Sequence, residues 1–144
     1  MLLTDFFHES DFTLGVFYPR HCITAVFQSI APAERAEAAL RQAEFEADHV
    51  VVASGRDVLD YDRDHITVFR AMMRAASRFF VTEQSFNDED LEQASHGAGF
   101  LIVRCPHEAQ KAEAWKIIKK ENPLDARYYG IAAIEHLAGD PVTD

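Results

Sequence analysis

The chain has 144 residues, of which 48% are hydrophobic, so it can form one domain with a core of its own. Its 14 basic and 24 acidic residues give a formal net charge of −10, which argues against nucleic acid and membranes as partners. Two cysteines are too few for a disulfide framework, and the N-terminus has neither a basic leader nor a long apolar stretch. We therefore expect a protein of the reducing cytoplasm.

The first elements in chain order are a strand, a helix and a strand, over about residues 16–56. The stretch 23–27 combines β-branched and aromatic residues, which predicts a strand. Pro32 fits a helix start, and apolar residues recur after it at helical spacing, namely Ala36, Ala39, Leu40 and Ala43. The run "HVVV" predicts the second strand.

A helical insertion is predicted over about residues 57–97, because this segment is too long for a simple connection and too apolar for a disordered linker. Apolar residues recur in it three or four apart, namely Ile66, Phe69, Met72, Met73, Ala76, Phe79 and Phe80. A short second helix ends at Gly97. We expect the insertion either to cover an open sheet face or to form a dimer surface.

About residues 98–138 repeat the order strand, helix, strand. The apolar run at 100–103 predicts a covered strand that Pro106 ends. The following helix is expected to bury one stripe, formed by Ala109, Ala112, Trp115 and Ile118. Lys111 is expected to face solvent with the other lysines of this helix. A short strand at 128–129 completes the unit.

Two β-α-β units with a helical insertion between them predict an α+β, ferredoxin-like sandwich, in a single domain over residues 1–144. In this arrangement the first strands of the two units lie side by side at the centre, and the second strands form the edges. We take the central strands to be parallel neighbours. This places Cys22 and Cys105 at opposite ends of the sheet, too far apart for a disulfide.

The same reasoning brings His21 and Cys22 towards His96, because these residues precede the two central strands. Three such ligands are a candidate metal site, although "HC" with one distant histidine is not a recognised zinc spacing. The remaining histidines are scattered, and we expect them to be surface or capping residues. No metal is expected.

Cys105 and His107 are candidate catalytic residues, because they lie where a central strand ends and a helix begins. A helix N-terminus can lower the pKa of a thiol and make it nucleophilic. The alternative interpretation is structural: Pro106 supplies the corner, and His107 caps the helix or faces water.

Arg70, Arg74 and Arg78 are candidate ligand-binding residues, because they lie four apart on one face of the predicted inserted helix. A guanidinium group binds carboxylate or phosphate with two hydrogen bonds, which suits a small anion or an acidic protein partner. The alternative is a solvated face paired with nearby acids. Neither a glycine-rich phosphate loop nor a catalytic triad pattern occurs, and we expect no cofactor.

Three segments together resemble the bacterial heat-induced, or general stress, protein family over roughly half of the chain: "AERAEAALRQAEFEADHVVVASGRDVL", "GFLIVRCPHEAQKAEAWKII" and "ARYYGIAAIEHL". The resemblance implies a cytoplasmic bacterial protein with a ferredoxin-like core and a helical or flexible middle. It also implies frequent self-association and a link to stress. The family provides no catalytic residues to carry across.

These features predict a non-enzymatic domain that forms a homodimer and binds a small ligand or a partner protein. One alternative is a small enzyme with a cleft between the sheet and the inserted helix, using Cys105, His107 or the arginines. Another is a structural subunit of a larger assembly.

Overall fold

The computed structural model describes residues 19–56 and 97–138, together with the backbone of two short strands, β1 (Phe12–Thr13) and β2 (Val16–Phe17). These two strands pair antiparallel as a separate ribbon. Apart from Gly97, the helical insertion lies outside the described residues, and so do both of its expected roles. The single-domain span of 1–144 stays a prediction.

The described part of the chain is α+β, with one five-stranded sheet and two helices. The strands of this sheet are β3 (Cys22–Phe27), β4 (Val50–Ser54), β5 (Gly99–Arg104), β6 (Asp125–Tyr129) and β7 (Ile134–Ala138). Helix α1 (Ile30–Gln42) connects β3 to β4, and helix α2 (Glu108–Ile118) connects β5 to β6. Short 3-10 turns, Ala47–His49 and Lys119–Glu121, lead into β4 and β6.

The strand order is β4-β5-β3-β6-β7, and all neighbouring strands are antiparallel. The prediction that the central strands β3 and β5 are parallel is wrong, because Cys22 pairs with Arg104 and Phe27 pairs with Gly99. The crossover through α1 leaves β3 and β4 parallel with a gap between them. Strand β5 fills this gap. Because the sheet is antiparallel, β5 runs in the direction opposite to both β3 and β4.

The two outer strands of the sheet are β4 and β7. The sequence predicted the second strand of each unit at an edge, which holds for β4 and fails for β6. A two-residue turn follows Gly130 and leads into β7, which pairs with the outer side of β6. The sheet therefore ends in a strand that the sequence did not predict.

Both helices pack on the same face of the sheet, which we call the helix face. The buried helix residues there are Ala33, Ala36 and Leu40 of α1 and Ala114 and Ile118 of α2. The predicted stripe on α2 is half right: Ile118 is buried and Trp115 packs against the core, but Ala109 and Ala112 are exposed. Each helical residue turns the chain by about 100°, so Ala109 and Ile118, nine residues apart, point to opposite sides of the helix.

Helix α1 begins in close contact with the sheet, and this contact requires a glycine. A Cβ atom placed on Gly99 of β5 would lie 2.5 Å from the carbonyl oxygen of Ser29 and 2.8 Å from the Cα of Ile30. The helix start is thus seated directly on the end of β5.

The opposite face of the sheet is buried as well. Its fully buried side chains include Val26, Val51, Phe100 and Ile102. Strands covered on both faces need apolar residues at successive positions, which explains the unbroken runs "CITAVF" and "FLIV".

Candidate functional site

Cys105 and His107 occupy the turn between β5 and α2, but their side chains lie in different environments. Cys105 is 1% exposed within the core of the helix face. Burial raises the pKa of its thiol to about 12, against a weaker opposing effect of nearby Lys111. The thiol is therefore protonated at neutral pH, which removes its nucleophilic form.

His107 is exposed at the N-cap position of α2. Its main-chain N–H donates a hydrogen bond to the Oε1 of Gln110 at 3.1 Å, and its carbonyl accepts one from the Gln110 N–H at 3.0 Å. His107 thus starts the helix, which is the structural role that the sequence offered as the alternative to catalysis.

The two cysteines lie at the same end of the sheet, and the prediction of opposite ends is wrong. The antiparallel register pairs Cys22 with Arg104, and the Cys105 N–H donates to the His21 carbonyl at 2.7 Å. Because side chains alternate along a strand, Cys22 shares a face with Arg104 while Cys105 points to the helix face. Neither thiol forms a disulfide, and the sheet separates them.

The reasoning behind a metal site at His21, Cys22 and His96 is wrong for the same reason. Gly99, three residues after His96, pairs with Phe27 at the end of β3 away from Cys22. The length of a six-residue strand, roughly 17 Å, lies between these ends. His96 itself is outside the described residues, as are Arg70, Arg74 and Arg78.

Two other surface features in the described ranges carry few functional groups. Glu46, Asp48 and His49 bring potential ligand atoms within 4.8 Å of one another, and the two acids are exposed. A shallow depression of about 180 Å³ lies between the end of α1 and the start of α2. Its lining consists of Ala43, Glu44, Phe45, Ala109, Gln110 and Glu113. Two acids and no base make this depression unsuited to an anion.

A polar cluster that the sequence analysis missed lies where α2 passes β6 and β7. Its centre is Lys111, whose Nζ lies 2.7 Å from Glu135 Oε1 and 3.7 Å from Glu108 Oε2. The same Nζ lies 4.4 Å from the centre of the Tyr128 ring, and the Tyr128 hydroxyl lies 3.2 Å from His21 Nδ1. We call these five residues the Lys111 cluster.

Contacts within the Lys111 cluster, together with partial burial, determine the protonation states of Lys111 and Tyr128. The hydrogen bond to Glu135 raises the pKa of Lys111 above its usual value, although partial burial acts in the opposite direction. Loss of solvent raises the pKa of the Tyr128 phenol, against the opposing charge of Lys111. At neutral pH the ammonium is charged and the phenol is protonated, so neither acts as a base.

The Lys111 cluster therefore links β7 to α2. The Lys111 side chain forms both the ion pair with Glu135 and the cation–π contact with Tyr128. Lys111 was predicted to face solvent, but its side chain is only 19% exposed. Because Lys111 and Glu135 lie 24 positions apart, no local pattern reveals the pair.

The outer side of β7 is the most exposed apolar part of the described chain. Ile131 at the hairpin turn is 76% exposed and Ile134 at the start of β7 is 43% exposed. Among the residues the structure describes, these are the exposed large hydrophobic side chains, and no described strand pairs with the outer side of β7. We call Ile134–Ala138, seen from this side, the β7 edge.

No helix in the described ranges has the length and apolar character needed to cross a membrane. Comparison with protein-family models, with curated proteins and with solved structures finds no match to this chain. The resemblance to the general stress proteins thus rests on the quoted segments, and function has to be argued from the surfaces and contacts described above.

Proposed function

We propose that this chain is a self-associating, non-enzymatic binding domain with a ferredoxin-like core. As a homodimer it binds a small ligand or a partner protein. The observation that carries the proposal is the coincidence of two features at one place. Exposed isoleucines, Ile131 and Ile134, lie beside a strand edge with no described neighbour. Soluble proteins normally cover such edges or guard them with charge.

The ferredoxin-like part of the proposal is supported by strand order. Without β7, the order is β4-β5-β3-β6, with the first strand of each unit at the centre. Helices α1 and α2 contact each other and share one face of the sheet. Strand β7 is then an addition to a four-stranded core.

The non-enzymatic part is supported by the way the reactive groups are used. Cys105 is sealed in the core, His107 begins a helix, and Lys111 is held by two carboxylates. Each of these groups already has a structural task, and they do not converge on a common cavity within the described ranges.

The cellular part of the proposal rests on the sequence. Cys22 and Cys105 form no disulfide, which suits a reducing cytoplasm, and the segments quoted above support a bacterial protein linked to stress. The choice of a small anion as ligand rests on Arg70, Arg74 and Arg78, whose guanidinium groups match carboxylate or phosphate.

Native mass spectrometry of the protein purified from its own host tests the proposal, with light scattering at micromolar concentration beside it. We expect a dimer mass and an added ligand mass that an Arg74→Ala variant loses. A monomer at all concentrations would contradict self-association. A dimer with no added mass would contradict the small-ligand alternative and leave the partner-protein alternative, which capture on the immobilised dimer then tests.

A further inference from the structure

We infer that the face of the sheet opposite the helix face, here called the back face, holds a binding site for a small carboxylate. Its residues are Thr24, Arg104, Arg127 and Tyr129, which we call the Arg127 site. The inference uses described residues only and does not rest on the proposed self-association. Three observations support it: hydrogen-bond donors gathered around β3, an excess of positive charge, and a buried hydroxyl that lacks a described partner.

The alternation of side chains along β3 and β6 brings three of these residues to the back face. Ala25 and Ala126 belong to the core of the helix face. Their neighbours Thr24 and Arg127 therefore point to the back face, where the strand register pairs them. Tyr129 follows Arg127 by two positions and points to the same side.

The two guanidinium groups lie on either side of β3. Arg104 belongs to β5, and its Nη1 lies 3.7 Å from the Sγ of Cys22 on β3. Arg127 belongs to β6, and its Nε donates to Asp125 Oδ2 at 3.0 Å. Its side chain is 12% exposed, and Arg104 is half-buried. Solvent therefore reaches the site beside both guanidinium groups, which gives a ligand a way in.

The phenol of Tyr129 adds a buried donor next to Arg127. Tyr129 is 2% exposed. Burial raises its pKa to about 12, against the opposing effects of Arg127 and Thr24, so the hydroxyl lies close to both of these side chains. At neutral pH it keeps its proton and can donate a hydrogen bond to an anion.

The charges around the site favour an anion with a single negative charge. The two arginines are positive, and the carboxylate of Asp125, which is 1% exposed, compensates one of them. Among the described side chains of the back face, one positive charge is left over, in a chain whose net charge is −10. A carboxylate balances this charge and matches the geometry of a guanidinium group. A doubly charged phosphate would leave an excess negative charge in a mostly buried site.

The hydroxyl of Thr24 is the observation that points to a ligand. Thr24 is fully buried, and within the described ranges its Oγ1 makes no hydrogen bond. Burying a hydroxyl without a partner destabilises a folded chain, and valine would fill nearly the same space without that cost. A ligand oxygen that accepts a hydrogen bond from Thr24 gives the hydroxyl a partner.

Titration with acetate tests the site. Backbone amide chemical shifts of the isotope-labelled full chain are followed while acetate replaces chloride at constant ionic strength. We expect saturable changes centred on Thr24, Arg127 and Tyr129. Changes that do not saturate would overturn the site. Inorganic phosphate, titrated in the same way, is expected to bind more weakly, and equal or tighter binding of phosphate would contradict the assignment of a carboxylate.

Two conservative variants identify the groups that bind acetate. Thr24→Val and Tyr129→Phe each remove one hydroxyl, and each should raise the acetate dissociation constant at least about tenfold. Tyr128→Phe, at the next position of β6 but on the helix face, is the matched control and should leave this constant unchanged. Without acetate, Thr24→Val should melt no lower than wild type. Arg127 is kept, because its loss would remove a partner of the buried Asp125 carboxylate.

The outcomes separate this site from the proposed function. Acetate binding that Thr24→Val leaves unchanged would overturn the Arg127 site. If Arg74→Ala abolishes acetate binding and Thr24→Val does not, the anion binds the arginines of the insertion, which supports the proposed function and contradicts this inference. A monomer that binds acetate through Thr24 would contradict self-association and leave the Arg127 site standing.

Discussion

The two outer strands of the sheet, β4 and β7, are both edges, yet they are built in opposite ways. Val50 and Val51 of β4 are fully buried, whereas Ile134, Glu135 and His136 of β7 are exposed. Strand β4 packs against α1 on one face and is covered on the other. Strand β7 depends on its pairing with β6 and on Lys111. Position at an edge therefore does not decide exposure, because the elements packed above and below a strand do.

The difference separates stability from interaction. The side chains of β4 are buried within one chain, so the free energy of their burial already stabilises the folded monomer. Ile134 of β7, by contrast, is 43% exposed within the described part of the chain, so its surface is not yet used in folding there. We expect substitutions near β4 to change the free energy of unfolding and substitutions at β7 to change association.

The largest effect is expected from Gly99→Ala, beside the end of β4. The new Cβ would lie 2.5 Å from the Ser29 carbonyl oxygen, a backbone atom that cannot move without shifting α1. We expect a loss of about 3 kcal/mol in the free energy of unfolding, measured by urea denaturation. Gly130→Ala in the β7 hairpin is the matched control, with its nearest contact at 3.1 Å and an expected loss below about 1 kcal/mol. Equal losses in both would contradict the difference between the edges.

Next in size is Val50→Ala in β4. It removes two methyl groups from a fully buried side chain of the helix-face core, and we expect a loss of about 2 kcal/mol. Ile134→Ala removes more carbon from β7 but should cost less than about 1 kcal/mol, because that side chain is 43% exposed. A reversed order in denaturant titrations would show that β7 is part of the stabilising core.

The contribution of the sheet centre to the free energy of unfolding can be distinguished from that of β7 by its pH dependence. The pKa of Cys105 rises from 9.0 to about 12 on folding, so above pH 9 the unfolded chain releases a proton that the folded chain keeps. Stability must then fall as pH rises, by about 1.4 kcal/mol per pH unit for this one group. The fall begins one unit lower than that of buried Tyr129, whose pKa rises from 10.0 to about 12.

Unfolding measured in steps from about pH 8 to about pH 10 checks this, with Cys105→Ala as the comparison. The variant should lose most of the slope between pH 9 and pH 10; an unchanged slope would assign the proton elsewhere. Over this interval Lys111, whose folded pKa lies above 10.5, stays charged, and its contribution is lost only at higher pH. Over this pH interval, the protection of β7 amides against hydrogen exchange should therefore fall no more than the protection of β4 amides.

The smallest effect is expected from Lys111→Met. Methionine keeps an apolar stem near Tyr128 but removes the ion pair with Glu135 and the cation–π contact, together about 1 kcal/mol. Hydrogen exchange should accelerate in β7 and stay unchanged in β4. Lys116→Met, exposed on the same helix, is the control and should leave both strands unchanged. Faster exchange throughout the sheet would mean that Lys111 stabilises the whole domain.

Local sequence was a good guide wherever burial repeats along an element. The predicted strands at 23–27 and 100–103 lie within β3 and β5, and the predicted strand at 128–129 is the end of β6. The corner at Pro106 and the capping position of His107 were also readable, because a proline and a helix start act on their immediate neighbours. Strand β7 was missed, since "IEHLA" contains alanine, glutamate and leucine, which favour helix when no partner strand is present.

The sequence by itself determined an acidic α+β chain with two strand–helix–strand segments and a buried central pair of strands, because hydrophobic periodicity and turn residues are local properties. Only the tertiary structure decided that β3 and β5 are antiparallel, that Cys22 and Cys105 lie on opposite faces at one end, and that Lys111 meets Glu135 and Tyr128. Strand direction and contacts between distant residues depend on how whole elements pair, and no short stretch of sequence contains that information.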